Sequence, residues 1–289
     1  MTRRRRTCLA LFACAVLGWA AAGGVARAQP PRIEEDVVKV PKPAGPFIIE
    51  LEATIFKPAG DGPFPLVVIN HGKTHGRPAF QARARYAAQS AEFVKRGYVV
   101  ILPMRQGFAK SGGPYIGGGC NVARNGLAQA EDVIATLDYM RTRPYVDMSR
   151  IVVIGQSHGG LTTMAFGTLS YPGVRGVINF SGGLRDDACP GWQADLVEAF
   201  AGYGRLARYP SLWFYGDNDS FWPAPLPARM FHAYRAEAEG AGADARLVDY
   251  GNFDGDAHRL FGSRAGMAVW LPEVARFFRE LGLPFDPLP

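Results

Sequence analysis

The sequence predicts an α/β fold, a mostly parallel sheet covered by helices on both faces. Three observations carry this. Short runs rich in Val, Ile and Leu recur along the chain, such as "PLVVIN" at 65–70, "YVVIL" at 98–102 and "IVVI" at 151–154. Continuous apolar runs of that length suit strands buried on both faces. Stretches with helical spacing separate them. Glycines and polar residues cluster just after the runs, where open α/β sheets place their sites.

The elements follow in order. "FIIELEATIFKP" (47–58) alternates apolar and polar residues like a half-exposed strand. "GDGP" (60–63) is a turn, so 47–58 and 65–70 read as a hairpin-like pair. Residues 80–96 have helical composition, stopped by Gly97. Strand 98–102 is followed by helix 123–141, whose Leu127, Val133, Ile134, Leu137 and Met140 form an apolar stripe. Strand 151–154 leads into a small-residue helix at 159–169. Strands at 174–180, 211–215 and 245–250 alternate with a helix at 228–239, with Pro227 suited to its start, and 267–281 is the closing helix. Residues 184–209, with "CPGW", read as a possible small lid. No internal repeat or low-complexity linker divides the chain, so one catalytic domain, 47–289, is expected.

Arg3 to Arg6 precede an apolar run from Cys8 to Gly24, and "ARA" ends at Ala28. A basic head, an apolar middle and small residues at −3 and −1 describe a secretory signal peptide at 1–28. Its removal takes away five arginines and no acidic residue, reducing the formal charge of +6 to about +1. The remaining chain has no basic excess for nucleic acid or anionic lipid, and no stable membrane partner is expected after cleavage. An exported protein, periplasmic or extracellular, is expected. Residues 29–46, rich in proline and charge, read as a loosely held N-terminal arm. Of four cysteines, Cys120 and Cys189 remain, and an oxidising compartment allows them to pair. They have no C-x-x-C spacing, and the pair His71 and His75 has no nearby carboxylate, so no metal site is expected.

"VVIGQSHGG" (152–160) carries the chemistry. Glycines two before and two after Ser157 permit a sharp strand-to-helix turn that exposes a serine oxygen above the sheet. Serine is a weak nucleophile and needs a base. Of the two histidines after "GDND", His232 falls inside a helix, whereas His258 follows a strand end in "GDAHRLF". His258 is therefore the candidate base. Asp217 and Asp219 are the candidate acids, while Asp254 and Asp256 read as turn formers. Backbone N–H groups of His158 and of Lys73, in "HGK" (71–73), are candidates for an oxyanion hole.

Together these motifs resemble the α/β-hydrolase fold, in its dienelactone hydrolase-like, small serine esterase branch. The resemblance spans about 47–281, through "HG", "RQGFAKSGG" (105–113), "GQSHGG", "GDND" with Pro223, and "DAHRLF". It implies an eight-stranded, mostly parallel sheet with a small lid. The G-x-x-D pattern running from Gly216 favours Asp219 as the acid. Dienelactone hydrolases proper have cysteine at the elbow, so Ser157 favours an ester-hydrolysing relative. The expected activity is hydrolysis of a small-molecule ester through Ser157, His258 and Asp219, without a cofactor. A more distant similarity, to prolyl oligopeptidase-type catalytic domains, leaves a peptidase or amidase as the alternative; the large extra domain usual there is not expected here. A non-catalytic binding protein on the same scaffold is a third reading. A nucleotide-binding fold is disfavoured by the lack of G-x-G-x-x-G in the first βα turn. Tyr115, Trp192, Phe221 and Trp222 are candidate pocket residues.

Overall fold

A computed structural model describes residues 33–117 and 119–288. The expected signal peptide, 1–28, lies outside the described residues. The strands are β1 (Glu34–Ala44), β2 (Phe47–Lys57), β3 (Phe64–Asn70), β4 (Val99–Pro103), β5 (Val146–Gln156), β6 (Val174–Phe180), β7 (Ser211–Tyr215) and β8 (Ala245–Asp249). The helices are α1 (Ala87–Val94), α2 (Val122–Arg141), α3 (His158–Phe166), α4 (Trp192–Arg205), α5 (Leu226–Gly240) and α6 (Met267–Glu280). One eight-stranded sheet runs β1-β2-β4-β3-β5-β6-β7-β8. β1 and β2 are antiparallel to each other, β2 is antiparallel to β4, and the remaining pairs are parallel.

The period of two along each strand divides the core into two layers. Leu66, Val68, Ile151, Val153 and Trp213 face α2, α3, α4 and α5. Val67, Ile69, Val152, Ile154 and Phe214 face α1 and α6. Each such buried side chain contributes roughly 1.5–3 kcal/mol, which is why the central strands carry no polar alternation. Among the described residues no helix is long and apolar enough to cross a membrane.

Three readings need correction. The arm at 29–46 contains β1, paired residue for residue from Glu34↔Lys57 to Ala44↔Phe47. Val40 and Lys42 point inward, while Pro41 and Pro43 fall on an edge strand, where a missing donor is tolerated. Lys42 is buried against the Asp132 carboxylate of α2, which fixes the strand to the body. Second, β2 hairpins with β1 rather than β3. Third, only 87–94 of the expected 80–96 helix is α-helical. Residues 81–86 run irregularly because tertiary bonds outbid helix propensity. Gln81 bonds Gly72 and Thr74, Arg85 bonds Glu35, and the Ala84 N–H meets the Met104 sulfur at 3.1 Å. Tyr86 then takes a left-handed φ of 39° at the helix start.

Segment 184–209 is divided. α4 buries Leu196, Phe200 and Tyr203 in the sheet-covering layer, whereas Leu184, Arg185 and Asp187 border the cleft described below.

Candidate active site

Ser157 directly follows β5 and caps α3 with φ 55° and ψ −124°, a conformation strained for a residue with a side chain. The turn is held on both sides. The Ser157 N–H donates to the Phe180 carbonyl at 2.9 Å, and its own carbonyl accepts from Gly160 and Gly183. A Cβ on Gly155 would collide with the Gly159 carbonyl oxygen, so strand and helix approach this closely only with glycine there. Across the cleft, a Cβ on Gly72 would lie 2.5 Å from Gln156 Oε1 and 3.1 Å from Ser157 Cβ. The backbone of the 71–73 turn therefore runs directly beside the serine. The His158 N–H, first in α3, has no intrahelical acceptor.

His258 stands in a short 3-10 turn after β8. Its Nδ1 donates to Asp219, 3.0 Å from each carboxylate oxygen, and both side chains are nearly inaccessible to solvent. Asp219 Oδ1 also accepts the N–H groups of Phe221 and Trp222, at 2.9 and 3.2 Å. Of the two candidate acids, Asp219 is the one in contact with His258. Asp217 is exposed at the loop surface. Asp256 joins the loops that carry Asp219 and His258, accepting from the His258 N–H at 3.0 Å and the Ser220 N–H and hydroxyl at 3.0 and 2.9 Å. Burial alone would raise its pKa, but these bonds hold it below its usual carboxylate range.

Ser157 and His258 share a cavity of about 710 Å³, bordered also by Gly72, Lys73, Ala84, Tyr86 and Arg259. A second cavity, of about 480 Å³, meets it at Ser157 and contains His158, Lys73, Leu184, Arg185, Phe221 and Trp222. The Phe221 ring is 4.3 Å from that of His258 and 5.9 Å from that of His75. Of the expected pocket residues, Phe221 and Trp222 border the cleft. Tyr115 and Trp192 do not. Tyr115 packs edge-on to Phe108 at 5.3 Å, and Trp192 lies behind Trp222 at 6.2 Å. Sequence reasoning missed Tyr86, read there as helix, and Gln156. The Gln156 amide donates to the His258 carbonyl at 3.2 Å and accepts from the Tyr86 hydroxyl at 3.2 Å. The only sequence signal for Gln156 was its place beside the serine.

His71 and His158 are buried histidines of another kind. His71 Nδ1 donates to the Gly72 carbonyl at 2.7 Å, and its Nε2 accepts the Arg105 N–H at 3.2 Å. Burial first, and then the Arg105 charge, push both pKa values well below the ordinary 6.5. Both are therefore neutral when folded, while in the unfolded chain they titrate near 6.5. Below that pH the unfolded state binds more protons, so stability falls as pH falls towards their folded values. The expected loss is up to about 1.4 kcal/mol per pH unit for each histidine. Urea unfolding at several pH values below neutrality checks this; an unfolding free energy flat down to about pH 5 would contradict it.

Cys120 and Cys189 are bonded, joining the loop before α2 to the loop that borders the smaller cavity. They lie 69 residues apart in sequence, and the bond is expected to contribute about 2–4 kcal/mol. Urea unfolding of the Cys120→Ser/Cys189→Ser double variant measures it, and an unchanged midpoint would remove the crosslink from the account of stability.

Residues 45–193, just over half of the chain, match the family model of the X-Pro dipeptidyl-peptidases, S15. The chain belongs to this family. It is thus a hydrolase with the α/β-hydrolase fold. Among solved structures, one from Klebsiella pneumoniae described as a dienelactone hydrolase aligns with a TM-score of 0.60 at 17% identity, over 86% of this chain and 99% of that one. An esterase of Pyrococcus furiosus gives 0.59 at 16%, over 86% and 90%. The acylaminoacyl peptidase of Pyrococcus horikoshii gives 0.65 at 16%, over 88% of this chain but only 42% of that chain. At these identities the structures speak to the fold.

Proposed function

We propose that this S15-family chain is an exported serine hydrolase of carboxylic esters. One observation carries the reading. Asp219 holds His258 by Nδ1, and His258 shares a cavity with a serine on a strained strand-to-helix turn. With Nδ1–H fixed on the carboxylate, Nε2 is free to accept a proton.

Ser157 Oγ attacks the ester carbonyl carbon as its proton passes to His258 Nε2. Asp219 stabilises the imidazolium that forms. The N–H groups of His158 and Lys73 bind the oxygen that becomes negative. The tetrahedral intermediate collapses, the carbon–oxygen bond to the alcohol breaks, and His258 protonates the departing alkoxide. Water then attacks the acyl-enzyme with His258 as base, releasing the carboxylic acid and restoring Ser157.

The dienelactone hydrolase and the esterase, matched over nearly their whole lengths, support the ester reading. The family's X-Pro dipeptidyl-peptidase description favours amide cleavage as the second reading. Turnover of short p-nitrophenyl acyl esters beside peptide p-nitroanilides, with wild type and Ser157→Ala, separates them. Serine-dependent ester turnover alone is the expected result. Serine-dependent anilide turnover would move the peptidase reading to first place.

Export rests on the leader pattern at 1–28, and the Cys120–Cys189 bond supports it, since such bonds persist in oxidising compartments. Intact-mass analysis of exported protein is expected to find Gln29 first. Retention in the cytoplasm would overturn this placement.

A further inference from the structure

Arg105 follows β4 by two residues and is fully buried. Its Nε donates to Gln129 Oε1 at 2.9 Å, and Nη2 donates to His158 Nδ1 at 3.2 Å. Nη1 has no hydrogen-bond partner. Among the described residues the guanidinium makes no ion pair with a carboxylate. Asp132, which acts on it through space, is itself bonded to Lys42 and to the Gln106 N–H. Burial pulls the Arg105 pKa down to about 10 against the opposing pull of Asp132, Tyr115 and Tyr86, so the group is charged at neutral pH.

A buried, unpaired cation is costly, and proteins keep such costs mainly at functional sites. The location of this one is informative. Its backbone N–H donates to His71, at the base of the turn that carries Lys73. Its side chain bonds His158 on the opposite wall. Arginine can only donate, so His158 Nδ1 is the acceptor, and Nε2–H donates to Asn125 Oδ1 at 2.7 Å. One residue thus grips both halves of the oxyanion hole assigned above.

We propose that Arg105 is a positioning residue for that hole, fixing the Lys73 turn and the His158 end of α3 while its unpaired charge favours the anionic tetrahedral intermediate. This rests on the serine acyl-transfer reading. A positive charge in a water-poor interior, already in place before reaction, stabilises developing negative charge without reorganisation.

The deciding variant is Gln129→Glu. It sets a carboxylate beside Nε and neutralises the charge without removing the arginine. A purely structural Arg105 would gain an ion pair and leave turnover unchanged. The proposal expects kcat to fall at least about tenfold with KM nearly unchanged. Affinity for phenylboronic acid, whose tetrahedral serine adduct places an oxygen in the hole, should fall by a similar factor. Arg105→Met should act in the same direction where it folds. Folded Gln129→Glu with wild-type kcat and boronate affinity would overturn the proposal. Gln129→Glu also loses the Gln129 amide's bond to the Ile116 carbonyl, at 3.2 Å. Should it not fold for that reason, Arg105→Lys decides, since it keeps a charge but cannot keep both the Gln129 and His158 bonds. Wild-type kcat and boronate affinity there would overturn the proposal. Wild type that turns over neither esters nor anilides would sink the hydrolase reading and this role with it.

Discussion

Ser157→Ala is expected to lower kcat for a p-nitrophenyl ester on the order of 10⁵- to 10⁶-fold, the scale seen when a serine nucleophile is deleted. No other group is held on the elbow to replace it. The unfolding midpoint should barely change, because alanine at φ 55° bears the same strain as serine. Ser157→Gly makes the complementary case. Glycine relieves that strain, so this variant should be equally inactive yet more stable by about 1 kcal/mol. Greater stability with lost turnover would show that the turn is kept for chemistry. Ser157→Ala retaining more than a trace of activity would place the nucleophile elsewhere. Residual turnover from the oxyanion hole and substrate binding is expected to stay on the order of 10³–10⁴-fold above the uncatalysed rate.

The second large effect is expected from Asp219→Asn, a loss of about 10⁴-fold in kcat. The backbone N–H groups of Phe221 and Trp222 both point at Asp219 Oδ1 and demand an oxygen there. In the asparagine variant the amide oxygen must satisfy them, which turns the NH₂ group towards His258 Nδ1. Nδ1 then becomes the acceptor and the ring proton moves to Nε2, the atom that has to receive the serine proton. The geometry survives while the tautomer is wrong. Asp217→Asn, in the same loop but exposed and away from His258, is the control and should keep its turnover. Comparable losses in the two variants would mean that the loop acts through its conformation rather than through the Asp219 carboxylate.

Much of this architecture was legible in the sequence because the candidate site residues sit at the ends of strands that announce themselves. β3, β4, β7 and the second half of β5 are apolar runs, and a sheet buried on both faces leaves little choice of residue there. The elbow was legible because β5 and α3 approach too closely for any side chain at Gly155. The acid was narrowed to two residues by local sequence, and contact with His258 separates them. β1 was not legible. Its prolines and charges suggest an arm, and only pairing with β2 and the buried Lys42–Asp132 contact make it a strand. The same holds for β5 before Ile151, where Asp147 turns the chain by bonding the Ser149 N–H and the Arg150 side chain. Residues 81–86 look helical by composition, yet their partners are on other elements, so no local pattern could reveal them. Arg105 belongs to that class, since its neighbours His71, Gln129 and His158 are brought together only by the fold.

The central claim is that Ser157 is the nucleophile of an acyl-transfer reaction. The most direct measurement is mass spectrometry of the protein after treatment with a fluorophosphonate, with the adduct mapped to a peptide. The account predicts a single adduct, on Ser157, formed more slowly while excess ester substrate is present and absent from Ser157→Ala. An adduct on another residue, or undiminished labelling of Ser157→Ala, would contradict it.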